Sequence, residues 1–184
     1  VLRILSVKGN VGYVIEYGGD GVKTLTVPER ATITNMGTET GVTTSLFPSD
    51  EMTKIFFVAQ QREQDWQEFA ADGDAVDERT IEIDLGTIEP NVALPHSPGN
   101  VTKVKEAAGI KVDQVLIGSC TNASYRDLLI VANMLKDRKV QPTVSLGIVP
   151  GTRQVYQMIA ANGMLNMFLA AGARILEPAC GFCF

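Results

Sequence analysis

Three cysteines are the residues of this chain whose type and spacing most directly suggest chemistry. Cys180 and Cys183 form a CxxC pair in the stretch ACGFC, and Cys120 lies much earlier in the stretch IGSCTN. Thiolates are soft ligands that select zinc, copper(I) or iron-sulfur clusters. An odd number of cysteines without a secretion signal argues against a disulfide-stabilised fold. The three thiols are therefore candidate ligands of one inorganic centre.

The elements that must position these thiols alternate between strands and helices. Short strands are predicted at 114–118, 143–149 and 173–177, and Cys120 and Cys180 each follow one of them closely. Strands separated by helices pair in parallel through right-handed crossovers, which predicts a three-layer α/β/α fold with largely parallel sheets. Ligands bind at the carboxyl edge of such sheets. We therefore expect the cysteines to converge at that edge.

The stretch SYRDLLIVANMLKD (124–137) predicts a helix that begins directly after the Cys120 loop. Ser124 and Asp127 have the spacing of a capping box. The positive end of the helix dipole and its unpaired amides favour a thiolate or an anionic cluster over a neutral thiol. Cys120 is therefore expected in an electrostatic environment suited to metal binding.

The first half of the chain predicts a second set of strands and helices. Pro28 suits the first turn of a helix, and Ser49 or Asp50 is placed to cap the next one. Alternation of apolar and polar residues predicts half-buried strands. The predicted elements are strands at 12–17, 42–47 and 80–85 and helices at 28–39 and from about residue 50.

A proline-rich stretch, EPNVALPHSPGN (89–100), separates the two halves. Clusters of proline and glycine are typical of linkers between domains. The prediction is two related subdomains, 1–97 and 98–184.

Composition narrows the function classes. The net charge of -5 gives no basic surface of the kind that nucleic acid binding usually needs. The chain shows neither a signal peptide nor an apolar stretch of membrane length. We expect a cytoplasmic protein with no membrane partner and no nucleic acid partner; a small-molecule substrate follows only from the resemblance described below.

The three thiols allow four interpretations. A structural zinc site needs a fourth ligand, and the only histidine, His96, lies in the proline-rich stretch, so a carboxylate would have to serve. A thioredoxin-like CxxC leaves Cys120 unused. The thiols could also be small, inert core residues. We favour an iron-sulfur cluster with three protein ligands, because such a cluster leaves one iron open to substrate.

Several segments resemble those of the aconitase family. VLIGSCTNASYRD, PGTRQV and ACGFC resemble its cluster segments, and RATITNMGTETGVTTSLFPSDEMT resembles its run from RATI to FPSDE. The order and approximate spacing match over essentially the whole chain. The phrases ALPHSPGNV and VLRILSVKGNVGYVIEYGGDGVKTLTVPERATITNMG look more like bacterial single-chain aconitases than isopropylmalate dehydratase large subunits. The chain is thus identified as an internal segment of an aconitase-type hydro-lyase.

The resemblance implies a role for particular residues. Cys120, Cys180 and Cys183 would hold a 4Fe-4S cluster, whose fourth iron acts as a Lewis acid on the hydroxyl of citrate or isocitrate. Asn35 would lie beside the cluster, and Glu39 would contact water or hydroxyl on that iron. For Asn122, two roles remain open and compatible: shaping the cluster pocket and closing the turn that enters the helix.

The same resemblance implies that other parts of the protein are needed. Residues 1–97 would be a second subdomain that is incomplete at its N-terminus, and 98–184 a third that is incomplete at its C-terminus. The family's N-terminal histidine and aspartate residues, downstream arginines and catalytic serine base lie outside this sequence. Phe182 replaces the family's proline between the last two cysteines. We expect the segment alone to be inactive and its partners to be the remaining aconitase domains.

Alternatives stay open for the activity of the full protein and for the role of Arg153. The full protein could be an isopropylmalate dehydratase or a homoaconitase-type hydro-lyase, because the specificity residues lie largely elsewhere. It could also be a non-catalytic, zinc-binding module. Arg153 could bind a substrate carboxylate or could equally be a surface residue of a helix's first turn.

Overall fold

The computed structural model describes residues 1–180, and the chain divides into one unit from Val1 to Ala108 and a second that begins at Gly109. None of the helices in these residues is long and apolar enough to span a membrane. The first unit contains α1 (Leu2–Leu5), β1 (Val14–Glu16), α2 (Val27–Gly37), β2 (Thr44–Leu46), α3 (Glu51–Ala59), β3 (Asn91–Ala93) and β4 (Val101–Lys103). The second contains β5 (Gln114–Gly118), α4 (Tyr125–Leu135), β6 (Ser145–Val149), α5 (Arg153–Ala161), α6 (Met164–Ala171) and β7 (Arg174–Ile175).

The sheets confirm the predicted α/β class with parallel pairing. In the first unit β1 pairs in parallel with β2, and in the second unit the strand order is β5-β6-β7, all parallel. The register of β5 on β6 runs from Gln114 opposite Ser145 to Gly118 opposite Val149. The carboxyl ends of β5, β6 and β7 therefore lie at one edge of the sheet.

The core of the second unit lies on one face of this sheet. Leu146 and Ile148 alternate along β6, so both point to the same face. Phe168 of α6 and Leu128 of α4 are fully buried against them. Burying a side chain of this size contributes roughly 1.5–3 kcal/mol to folding. This core fixes the strands whose ends carry the cysteines.

Local capping fixes where α4 and α5 begin. The Oγ of Ser124 accepts a hydrogen bond from the backbone N–H of Asp127, and the carboxylate of Asp127 accepts one from the N–H of Ser124, which confirms the predicted capping box. Thr152 caps α5 by accepting from the N–H of Val155 at 3.1 Å. The chain therefore leaves β5 and β6 by short, defined turns.

The first unit is organised around one buried cation. Arg30 is only 4% exposed, and its guanidinium lies 2.7 Å from a carboxylate oxygen of Asp50, the N-cap residue of α3. The same side chain donates hydrogen bonds to the carbonyl groups of Val22, Leu25 and Pro48. The RATI and FPSDE segments thus meet through this guanidinium, which gives both motifs a structural explanation.

The predicted strand at 80–85 is wrong. This stretch contains no strand, and Ile81, Ile83 and Leu85 are 37–43% exposed. A half-buried strand needs a neighbour that supplies ladder hydrogen bonds and covers one face, and no described strand pairs with this stretch. Alternation of apolar and polar residues does not by itself establish a strand.

The proline-rich stretch is a β-hairpin, which corrects its prediction as an interdomain linker. Asn91–Ala93 pairs antiparallel with Val101–Lys103, and the N–H of Leu94 donates to the carbonyl of Asn100. Pro95 and Pro98 lie in the loop between the strands, where no ladder N–H is required. The division between the two units falls after Ala108. Assignment of the two halves to particular aconitase subdomains stays a prediction.

Candidate functional site

Cys120 and Cys180 leave the sheet of the second unit at its carboxyl edge. Cys120 follows the end of β5 by two residues, and Cys180 follows the short strand β7. Since β5 and β7 flank β6, their backbones are about 10 Å apart, twice the spacing of neighbouring strands. A separation of this size is within the reach of two cysteine side chains that bind a shared multi-atom centre.

Both cysteines are exposed, which overturns the interpretation of these two as inert core residues. The third predicted ligand, Cys183, lies outside the described residues. Within residues 1–180, no cluster of three or more His, Cys, Asp or Glu side chains has metal-binding geometry. That finding includes only two of the three predicted ligands, so the complete ligand set stays a prediction.

The loop that carries Cys120 is closed by Asn122. The Oδ1 of Asn122 accepts a hydrogen bond from the backbone N–H of Gly118 at 3.1 Å, which ties the end of β5 to the far side of the turn. The neighbouring Ser119 is buried, and its Oγ lies 3.9 Å from the sulfur of Cys120. Asn122 thus closes the turn, and its contribution to a cluster pocket stays a prediction.

A negatively charged side chain lies in the first turn of α4, next to the Cys120 loop. The carboxylate of Asp127 lies 3.0 Å from the N–H of Ser124 and 2.7 Å from its Oγ, within the first turn of the helix. A negative charge at this position compensates the helix dipole. The carboxylate of Asp127 thus partly offsets the positive end of the helix dipole at the start of α4.

Asn35 lies in the first unit, on the last turns of α2. It is half-buried and lines a cavity of about 230 Å³ whose walls are mostly hydroxyl-bearing side chains. The other lining residues are Thr34, Thr38, Val42, Thr43, Thr44 and Ser45. A small polar cavity of this kind can accommodate hydroxyl or carboxylate groups.

Glu39 lies just beyond α2, in a short 3-10 turn (Thr38–Thr40), and its side chain is exposed. It is not one of the residues that line the Asn35 cavity. Thr40 is fully buried, and its carbonyl accepts a 2.8 Å hydrogen bond from the side chain of Asn10, which also donates to Leu5. The turn that presents Glu39 is therefore anchored.

The hydrogen bonds of Asn10, which anchor the turn before Gly41, were not predicted from the sequence. The contact is not evident from the local sequence, because the partner carbonyl of Thr40 is thirty residues away along the chain. The available signal was the amide type, since asparagine in a turn commonly bonds to backbone groups. Arg153, considered as a carboxylate ligand, is an exposed residue at the start of α5.

Comparison with known proteins identifies the family. The model of the aconitase family (aconitate hydratase) matches residues 1–109 and 105–184. The 3-isopropylmalate dehydratase large subunit 2 of Rubrobacter xylanophilus is 40% identical over 184 residues, which is 100% of this chain and 43% of that protein. The large subunit 1 of the same enzyme from Thermotoga maritima is 41% identical over 100% of this chain and 44% of its own length.

A third relative, the 3-isopropylmalate dehydratase large subunit 2 of Archaeoglobus fulgidus, is 40% identical over 97% of this chain and 43% of its own length. The chain thus spans less than half the length of these relatives. All three are dehydratase large subunits, so they do not support the expected closer likeness to bacterial single-chain aconitases. The family model covers the whole sequence, and the chain therefore belongs to the aconitase family.

Proposed function

We propose that this chain is the cysteine-bearing part of an iron-sulfur hydro-lyase. The observation that carries this proposal is the placement of Cys120 and Cys180 as exposed thiols beyond parallel strands of one sheet. Membership of the aconitase family supports it. Cys120, Cys180 and Cys183 are the proposed ligands of a 4Fe-4S cluster.

The donor set fits this cofactor. Cysteine thiolates are the usual ligands of 4Fe-4S clusters, and exposure of the thiols leaves them accessible to an inorganic centre. When bound through three cysteines, such a cluster supplies an iron that is not ligated by protein and can act as a Lewis acid. In this proposal the cysteines hold the cluster, and Asn122 maintains the turn that presents Cys120.

Asn35 and Glu39 are the proposed catalytic residues. The amide of Asn35 donates a hydrogen bond to a substrate oxygen. The polar walls of its cavity accommodate the part of a dicarboxylic acid that carries the hydroxyl group. Glu39 in its protonated form donates a proton to the substrate hydroxyl as the C–O bond breaks, so that the hydroxyl leaves as water, and a base from another part of the enzyme removes the proton from the neighbouring carbon. The anchored turn around Thr40 fixes the backbone of Glu39 for this role.

The proposed substrate is 3-isopropylmalate, which loses water to form an unsaturated diacid. Three relatives at 40–41% identity carry the name 3-isopropylmalate dehydratase large subunit. Interconversion of citrate and isocitrate, as in aconitate hydratase, is the second candidate. It is favoured by the description of the family model.

The proposed partners are the remainder of the hydro-lyase and a complementary small subunit. The relatives are named large subunits, and this chain covers only 43–44% of their length. Dehydration also needs a base that removes a proton from the substrate carbon, and no described residue of this chain is proposed for that role. We therefore propose that the completed site combines residues from these other parts.

An assay of the complete enzyme with its small subunit tests the substrate. Ultraviolet absorbance of the unsaturated product measures turnover of 3-isopropylmalate, citrate and isocitrate. We expect much higher kcat/KM for 3-isopropylmalate, and a preference for citrate or isocitrate would replace this proposal by the second candidate. Glu39→Gln is expected to lower kcat while iron and sulfide contents stay unchanged, whereas Glu68→Gln, at another exposed glutamate, is expected to retain full activity.

A further inference from the structure

Two glycines contact the loop that carries Cys120, one at the start of the loop and one on the neighbouring turn. Gly118 ends β5, and Gly151 follows β6 by two residues. The two strands are neighbours, with Gly118 opposite Val149. The loop after β5 and the turn after β6 therefore emerge side by side at the edge where the cysteines lie.

Neither glycine has space for a side chain. A Cβ on Gly151 would lie 2.8 Å from the carbonyl oxygen of Ala123 and 2.9 Å from that of Ser119. A Cβ on Gly118 would lie 2.7 Å from the Cβ of Val149 and 2.9 Å from its carbonyl oxygen. Optimal contacts between such atoms are about 3.5–4.0 Å, so either side chain would force the backbone apart.

The atoms in contact with Gly151 lie on both sides of Cys120. Ser119 precedes the cysteine, Ala123 closes the loop, and the N–H of Gly151 donates a 2.9 Å hydrogen bond to the carbonyl of Ala123. Ser119 is 6% exposed, and Ala123 and Pro150 are fully buried. Because their surroundings are packed, these backbone groups cannot move aside without disturbing the loop.

We propose that Gly118 and Gly151 are positioning residues that set the location of the Cys120 thiol by letting two backbones approach where a side chain would separate them. The inference rests on the proposed function for its consequence, which is the affinity of the cluster. It rests on the contacts above for the geometry of the loop. A methyl group at either position displaces the loop and, with it, the proposed ligand.

The test compares Gly151→Ala and Gly118→Ala with two controls in the full chain. Gly73→Ala adds the same methyl group where no other atom lies within 4 Å and the backbone φ is not positive. Ile159→Val loosens the core of the second unit at a fully buried position of α5, without a change in the loop. This second control separates displacement of the loop from general loss of stability.

The first readout is cluster retention after anaerobic reconstitution. Mutation of a residue that orients a metal ligand typically lowers metal affinity by about 10–100-fold. We expect Gly151→Ala to lower cluster affinity by about 10-fold or more, and Ile159→Val and Gly73→Ala to leave it unchanged. Wild-type affinity in both glycine variants would overturn the inference.

The second readout is hydrogen exchange in the protein without a cluster, which does not depend on the proposed function. Gly151→Ala is expected to accelerate exchange at 119–123 relative to α6, whereas Ile159→Val changes both regions together. If wild type binds no cluster but the loop responds as expected, the proposed function fails and the loop geometry stands. If neither glycine variant accelerates exchange at 119–123, the positioning role is wrong.

Discussion

The two units achieve rigidity by different means. In the second unit, apolar side chains from α4, α5 and α6 pack on the sheet, and backbone meets backbone at Gly118 and Gly151. In the first unit, Val22 is the one buried hydrophobic residue among those described, and the guanidinium of Arg30 connects the segments instead. Residues 67–93 of that unit are exposed throughout.

The difference indicates how the two groups of site residues are held. The Cys120 loop runs from the end of β5, where Ile117 packs against the core, to α4, whose Leu128 is buried, and in our proposal the close contacts of the two glycines set its position. Asn35 and Glu39 lie on and beyond a helix that polar contacts hold in place. Loss of a large core side chain should therefore destabilise the unit that carries Cys120 and Cys180, whereas loss of Arg30 should affect the segment that carries Asn35 and Glu39.

The largest expected effect is in the core of the second unit. Phe168→Ala removes a fully buried ring and should lower the free energy of unfolding of that unit by about 3–5 kcal/mol. Hydrogen exchange at α4, α5 and α6 measures this loss. Leu169→Ala is the matched control, since the neighbouring side chain is 53% exposed and should cost far less. Equal losses in the two variants would contradict the assigned core.

The next effect is in the first unit. Arg30→Met preserves much of the side-chain volume but removes the charge, leaving Asp50 and three carbonyl groups without their donor, and should cost about 3 kcal/mol. Trp66, the only tryptophan, reports unfolding of this unit in urea by its fluorescence. Arg62→Met, which breaks an exposed ion pair with Asp65, should cost under about 1 kcal/mol. A similar cost for both arginines would refute the central role of Arg30.

The contact between Arg30 and Asp50 predicts that the free energy of unfolding of the first unit depends on pH. The hydrogen bond from Arg30 holds the pKa of Asp50 below its ordinary value of 3.8, assisted by backbone N–H groups of Thr53 and Met52 and opposed by burial. Because the folded-state pKa is the lower one, the carboxylate contributes stability above pH 3.8 that is lost as pH falls through the folded-state pKa. Trp66 fluorescence in urea across this range should show the loss in wild type and a smaller one in Asp50→Asn. Identical profiles would remove Asp50 as the cause.

The smallest effect concerns the helix after the cysteine loop. Ser124→Ala removes the N-cap of α4 and should cost about 1 kcal/mol, seen as faster exchange in α4. Because the loop is also held by Gly151, we expect cluster binding to survive in this variant. Loss of the cluster would show that the cap, and not the close backbone contact, determines the loop position.

The sequence predicted the second unit well because its signals are local. The strand at 114–118 and the box of Ser124 and Asp127 follow from hydrophobic pattern and capping chemistry, which need no tertiary information. The hairpin at 91–103 is not evident from the sequence because a cluster of prolines favours a linker, although Pro95 and Pro98 lie only in the hairpin loop. The tight contacts of Gly118 and Gly151 could not be read from sequence, since they arise only when two strands are neighbours.

The most direct test of the central claim is anaerobic analysis of iron and acid-labile sulfide, with the visible spectrum, in the full chain and in Cys120→Ser. Three cysteine ligands for one cluster predict about four irons and four sulfides per chain in wild type. Cys120→Ser should lose most of both, while Ser124→Ala keeps them. Stoichiometric zinc without sulfide, or a full cluster in Cys120→Ser, would contradict the assignment of these thiols.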